Sequence, residues 1–339
     1  MARTELFEPS GFYFRGLHPR IFMGTASDRY AGWIGQVYSR DRYDKRISRR
    51  SRKLGGRTYV EETLPVDSVE EYFEHFRSLE LDFTFYPLLL EEDGEPSQNF
   101  HVLDRYSQHL KEEDYLILKV PKVLFAQKIL QHGTFVENGL YLDAETFRRR
   151  FYEPAVELLG SRLRGLVFEQ EYQRKQDRVS PDEVADSLDR FFAAIPKDDR
   201  YHVELRTEAY LSSSVFKVLE SHGIGQVLSH WTWLPPLTKQ LELSGNRFLN
   251  AAGDCIVRLM TPKGVRYEQA YAEAHPFNAL VDGMLDPNMV SDTVRIMDAG
   301  VRREVDVHVI VNNRAGGNAP LIAKLLAEEF VHMRAAPAR

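Results

Sequence analysis

Nine residues of this chain join a reactive or ligand-holding side chain to a place at or near the end of an apolar, β-rich run. They are Glu80, Asp82, Lys119, Glu169, Glu204, Arg206, Arg258, Asn312 and Asn313. The carboxylates Glu80, Asp82, Glu169 and Glu204 are candidate general acids or bases. Lys119 lies among apolar residues, where an amine loses proton affinity and can form a Schiff base; a salt bridge to Glu80 or Glu169, or a phosphate contact, is the alternative. Arg206 and Arg258 suit a bidentate grip on a carboxylate or phosphate. Asn312 and Asn313 bring amide donors and acceptors. Trp231, followed by Trp233 and Pro235-Pro236, offers a ring for stacking on a sugar or base, or for burial against the core. The candidate catalytic set is therefore Glu80, Asp82, Lys119, Glu169 and Glu204. The candidate ligand-binding set is Arg206, Arg258, Asn312, Asn313 and Trp231. A structural reading stands beside this one. Glu204 and Arg206 are two apart on a strand, share a face, and can form a buried ion pair. Glu80 can lie at the N-terminal end of its strand, where its role is structural.

Metal and nucleotide motifs are sparse. None of the 11 histidines falls in a His-x-x-x-His or Cys-His pattern. A carboxylate-only Mg²⁺ or Mn²⁺ site from Glu80, Asp82, Glu169 and Glu204 is the remaining metal reading. No Walker loop and no Gly-x-Gly-x-x-Gly occurs, and the sequence leaves the cofactor unknown. Gly316-Gly317, just before the last helical pattern, offers a phosphate cradle by analogy with other barrels.

Such residues need elements to converge them. Eight short apolar runs predict strands: Ile21–Gly24, Leu81–Tyr86, Tyr115–Val120, Leu163–Phe168, Tyr201–Leu205, Gln226–Leu228, Cys255–Met260 and Val305–Val311. The β-branched run at Val307–Val311 suits a strand buried on both faces. Helical patterns lie between them at Asp67–Leu79, Asp143–Leu159, Ser180–Ile195 and Ser212–His222, and one follows from Asn318 to Phe330. Ser180-Pro-Asp-Glu reads as an N-cap with proline in the first turn, and Gly223 as a C-cap. This alternation predicts an α/β chain forming a (β/α)8 TIM barrel, with a doubly wound open sheet as the alternative. A single domain is expected over 1–339, the barrel proper spanning about 20–333.

The chain has 339 residues, 43% hydrophobic and 28% charged, and a net charge of −6. That balance supports a full core and argues against a surface that coats nucleic acid generally. No run is long enough to span a membrane, no signal core opens the chain, and the one cysteine, Cys255, reads as apolar filler; a cytoplasmic location is expected. One segment departs from the acidic average. Residues 40–57 carry nine Lys or Arg residues against Asp41 and Asp44. As an insertion after the first strand it should emerge at the C-terminal mouth, either as a solvated loop or as an electropositive lid hinged at Gly55-Gly56.

Taken in order, the strand ends resemble the YecE-like family (domain of unknown function 72). Gly24-Thr25-Ala26-Ser27 with Trp33 is similar to that family's opening, and Glu80-Leu81-Asp82-Phe83-Thr84-Phe85-Tyr86 to its second strand. Lys119, Glu204 with Arg206 and Tyr210, Arg258, and Asn312-Asn313 with Ala319-Pro320 follow in register. Asp82, Glu169 and Met260 stand where the family has Asn, Gln and His, which marks a divergent member. The resemblance implies a TIM barrel with a pocket at the C-terminal face and no established reaction.

Two functions are compatible with these residues. One is an enzyme-like pocket for a small anionic ligand bearing phosphate or carboxylate, with hydrolase or lyase chemistry by carboxylate acid–base catalysis. The other is a non-catalytic binding module, with nucleic acid held by loop 40–57.

Overall fold

The structure, a computed structural model, describes residues 11–131 and 134–335. Its strands in chain order are β1 (Ile21–Ala26), β2 (Ser48–Leu54), β3 (Arg57–Thr63), β4 (Ser78–Leu81), β5 (Tyr115–Lys119), β6 (Lys128–Gln131), β7 (Thr134–Glu137), β8 (Leu163–Glu169), β9 (Tyr201–Glu204), β10 (Gly225–Gln226), β11 (Leu228–His230), β12 (Asp254–Leu259) and β13 (Asp306–Val311). Nine of these form one sheet in the order β10-β9-β8-β5-β4-β1-β13-β12-β11. Every pairing in it is parallel. β10 pairs with β9 and β11 with β12, and only Val227 separates the two pieces. They are halves of one stave, so eight staves close into a barrel that leaves no edge.

Helices follow the staves and cover the outside. Among them Pro181–Ala194 begins at the Ser180 capping box, its hydroxyl accepting from Glu183 N and the Glu183 carboxylate from Ser180 N. Helix Ser213–Ser221 ends before Gly223, whose φ of 69° only glycine adopts easily.

The second stave departs from expectation. The alternation Leu81, Phe83, Phe85 predicts a strand over Leu81–Tyr86, but the strand is Ser78–Leu81 and Asp82–Phe85 is a 3₁₀ turn. Thr84 causes the break. Its hydroxyl sits 2.9 Å from Lys119 O and 3.0 Å from Leu81 O and accepts the Lys119 N–H at 3.1 Å. This local exchange folds the chain back over the end of β5 and replaces ladder bonds. Glu80 therefore lies inside its strand at the C-terminal end.

The barrel interior is layered. Residues two apart on a strand share a face, so Asp254, Ile256 and Arg258 of β12 point inward at three successive heights. An apolar layer of Ala26, Ile117, Val167, Val227, Ile256 and Ile310 fills the middle. Gly165 is opposite it, where a Cβ would come within 3.1 Å of Ile256. Below lie the N-terminal ends of the staves, with His308 bonded to Ser78 Oγ at 2.9 Å and Arg164 spanning Asp254 and Asp306. Above lies the C-terminal mouth.

The basic insertion is a β-hairpin. β2 and β3 pair antiparallel through a turn at Gly55-Gly56, both at positive φ. The Gly-Gly pair serves as a tight turn where the sequence suggested a loop hinge. The acidic partners lie just beyond the basic segment: Glu62 holds Arg49 at 2.7 Å, and Glu61 holds Arg50 at 2.9 Å and Arg52 at 2.8 Å. Arg46 pairs with Asp67 and Arg42 with Glu70. The hairpin leans on the helix Tyr267–Ala274, where Tyr271 donates to Glu61 at 3.0 Å and packs edge-on against Tyr59.

Candidate functional site at the C-terminal mouth

All ten candidate residues lie at or just beyond the C-terminal ends of staves, in two separate groups. The first is a buried ionic network. Arg258, fully buried, binds Glu80 through Nε and Nη2, each at 2.7 Å, touches Glu204 closely, and reaches Glu169 at 3.4 Å. Arg206 grips Glu169 at 2.7 Å and Glu204 at 3.3 Å. Lys119 holds Glu169 at 2.7 Å, with Nζ 3.8 Å from the centre of the Phe85 ring. Trp231 lies under Arg206, the guanidinium 4.5 Å from its ring centre. Three carboxylates thus face three cations, which is the condition for burying charge at all.

Compensation within this network is uneven. Burial raises Glu169, but the combined pull of Arg206, Lys119 and Arg258 outweighs it and holds the carboxyl well below the usual range. Glu80 shares Arg258 with two other acids and also feels Asp82. Burial dominates there, and Glu80 is pushed up to about 7. Glu204 Oε1 has no hydrogen-bond partner among the described residues. The network can position the mouth, and its groups spend most of their charge on one another.

The second group borders open space. A cavity of about 980 Å³ lies over the ends of β1, β4 and β13 and under the hairpin. Of the ten candidates, Asp82, Asn312 and Asn313 line it. Asn313 Oδ1 accepts from Trp33 Nε1 at 3.1 Å and from Ala319 N at 2.8 Å, and Asn312 Oδ1 accepts from Arg314 N at 3.0 Å. These bonds fix both amides and leave both Nδ2 donors buried without a partner among the described residues. Trp33 is thus a positioning residue for Asn313. Among the described residues Asp82 accepts one long hydrogen bond, from Ser27 Oγ at 3.4 Å.

The wall also contains residues that sequence reasoning passed over. Arg314 lies over the Tyr267 ring at 4.3 Å, and its Nε is buried without a hydrogen-bond partner among the described residues. Among the described residues no acid pairs with it. By contrast Arg40, Arg49, Arg50 and Arg52 in the same wall all have carboxylate partners. Asp28 accepts from Tyr106 Oη at 2.8 Å, and burial raises its carboxyl against the opposing pull of Arg29. Burial and the charge of Asp82 likewise hold the Tyr30 phenol up. A signal was there: Arg314 directly follows the Asn-Asn pair, and Asp28 follows Ser27 at the end of the first strand.

Two other sequence expectations meet the structure here. Gly316-Gly317 does not form an open phosphate cradle. The Gly316 and Gly317 amides bond to Asn313 O at 3.3 and 2.6 Å, and the space a Gly317 Cβ would take is filled by Ala279 O at 2.4 Å. The carboxylate-only metal reading finds three of its acids tied to cations; among the described residues no group of three or more His, Cys, Asp or Glu is placed to hold a metal ion. No helix among the described residues is long and apolar enough to cross a membrane.

The sequence matches the family described as Protein of unknown function DUF72 over residues 22–339. The chain belongs to that family. Its fold also matches solved members. A DUF72 family protein of Thermotoga maritima is 15% identical with a TM-score of 0.53, the match covering 93% of this chain and 99% of that one. A second, from Enterococcus faecalis, is 13% identical with a TM-score of 0.51, over 91% of this chain and 95% of that one. No curated protein matches the chain. At these identities the family relatives support the fold, while the site rests on the residues described above.

Proposed function

We propose that this DUF72 barrel binds a small anionic ligand, bearing phosphate or carboxylate, in the cavity at its C-terminal mouth, and acts on it as a hydrolase or lyase by carboxylate acid–base chemistry. One observation carries this reading. Arg314 is a guanidinium in the cavity wall with no acidic partner among the described residues, next to two amides with unspent donors. A buried, unsatisfied donor costs roughly 1–3 kcal/mol, and an anion would satisfy all three. The same wall supplies two carboxyls that form no salt bridge among the described residues. Asp28, raised by burial, is suited to keep and donate a proton. Asp82 is suited to accept one. In this reading Glu80, Lys119, Glu169, Glu204, Arg206 and Arg258 are positioning residues that hold the mouth in shape, and Trp231 supports Arg206.

Calorimetric titration with inorganic phosphate and with acetate tests the binding half. Wild type should bind at least one of them, and Arg314→Ala should weaken binding at least ten-fold with the melting temperature nearly unchanged. Turnover of p-nitrophenyl phosphate or p-nitrophenyl acetate tests the chemistry: Asp28→Asn and Asp82→Asn should each lower kcat. Binding that survives Arg314→Ala would refute the site; binding with no turnover would leave a binding module.

A further inference from the structure

We infer that the anionic group of the ligand is joined to a planar ring, with a nucleoside monophosphate as the simplest such compound, and that Tyr86 is the face on which the ring stacks. This rests on the anion site proposed above and goes on to its substrate class. The first argument is size. A cavity of about 980 Å³ is at the upper end of sites for drug-sized molecules, roughly 300–1,000 Å³, and far exceeds what a bare anion fills.

The second is the state of the aromatic rings in the wall. Most are already engaged. Tyr30 packs on Trp33 and Phe277, Tyr271 on Tyr59 and Phe277, and Phe83 on Tyr106. Tyr267 carries Arg314 on one face. Tyr86 differs. It lines the cavity and is 70% exposed, more than any other large hydrophobic side chain described. Its described ring contact is with Phe85, T-shaped at 5.6 Å, so its broad face remains open. A tyrosine face is a stacking surface for any planar ring, whatever its substituents.

The third is arrangement. Tyr86 is within electrostatic reach of Tyr267 and Asp82. Arg314 packs on Tyr267 and, like Asp82, is within electrostatic reach of Tyr30. A ligand with its phosphate on Arg314, Asn312 and Asn313 and its ring on Tyr86 would therefore have Asp82 in the same wall, near both groups. The Asp82 carboxylate forms no salt bridge among the described residues, so hydroxyl groups between phosphate and ring fit it.

The test is calorimetric titration of the whole chain with three probes: inorganic phosphate, ribose 5-phosphate and adenosine 5′-monophosphate. All three should bind, the nucleotide about ten-fold tighter than the sugar phosphate, as stacking of one base predicts. Tyr86→Ala should erase that ten-fold advantage and leave the other two affinities unchanged, while Tyr86→Phe preserves it. Because the ring is exposed, neither change should affect folding. Arg314→Ala should weaken all three. If phosphate binds but the nucleotide gains nothing over ribose 5-phosphate, or keeps its gain in Tyr86→Ala, the stacking inference is overturned and the anion site stands. If no probe binds, or Arg314→Ala has no effect, the anion site fails and the inference fails with it.

Discussion

Glu80→Gln isolates a buried carboxylate whose burial outweighs the pull of its cations. The glutamine keeps the shape and an acceptor for Arg258 but cannot ionise. In the native protein burial moves the Glu80 carboxyl from its ordinary 4.5 up to about 7. At about 1.4 kcal/mol per unit, that displacement corresponds to about 3 kcal/mol. The direction follows from proton binding. Below about pH 4.5 the group is protonated in both folded and unfolded chains and has no effect on the balance. Between about 4.5 and 7 the unfolded chain releases the proton while the folded chain keeps it, so wild type loses stability as pH rises. Above about 7 the penalty is complete. The variant has no such term. Urea unfolding at several values from about pH 4.5 to about pH 8 should show the variant gaining about 3 kcal/mol on wild type across the range. Groups outside the Arg258 network titrate alike in both proteins and cancel in the difference. A gap that stays constant across that range would refute the reasoning, because Glu80 would then ionise in the folded protein as it does in the unfolded one.

Arg258→Met should cost about 3–5 kcal/mol by urea unfolding, since it strands buried carboxylates, and adding Glu80→Gln with Glu204→Gln should recover part of that loss. Arg49→Ser with Arg50→Ser should change stability by less than about 1 kcal/mol per pair, because both arginines are exposed; Arg52→Ser should lower the melting temperature more, since that side chain also packs over Tyr271 at 5.3 Å. Gly317→Ala should destabilise by more than about 1 kcal/mol: its φ is 111° and a Cβ would meet Ala279 O at 2.4 Å. A thermal melt equal to wild type would show that the 277–281 loop gives way.

The barrel was legible in the sequence because its signals are local. β-branched runs, Ser180-Pro-Asp-Glu and Gly223 specify elements within a few residues, and eight strands alternating with helices close in few ways. The same logic located the candidate residues at strand ends, since strand ends converge by topology. What sequence could not decide is which of them meet. Glu80, Glu169 and Glu204 come from three staves, and only closure of the barrel places all three around Arg258 and so removes their charge from use. Thr84 ended the second strand through a bond to Lys119, a partner 35 residues away. The basic segment read as a free positive charge until β3 supplied Glu61 and Glu62. Arg314 was unremarkable as one arginine among many, because being unpaired depends on every neighbour the fold brings or withholds. Local propensity wrote the elements and their order; pairing of charge is a sum over contacts distant in the chain, and only the tertiary structure carried it out.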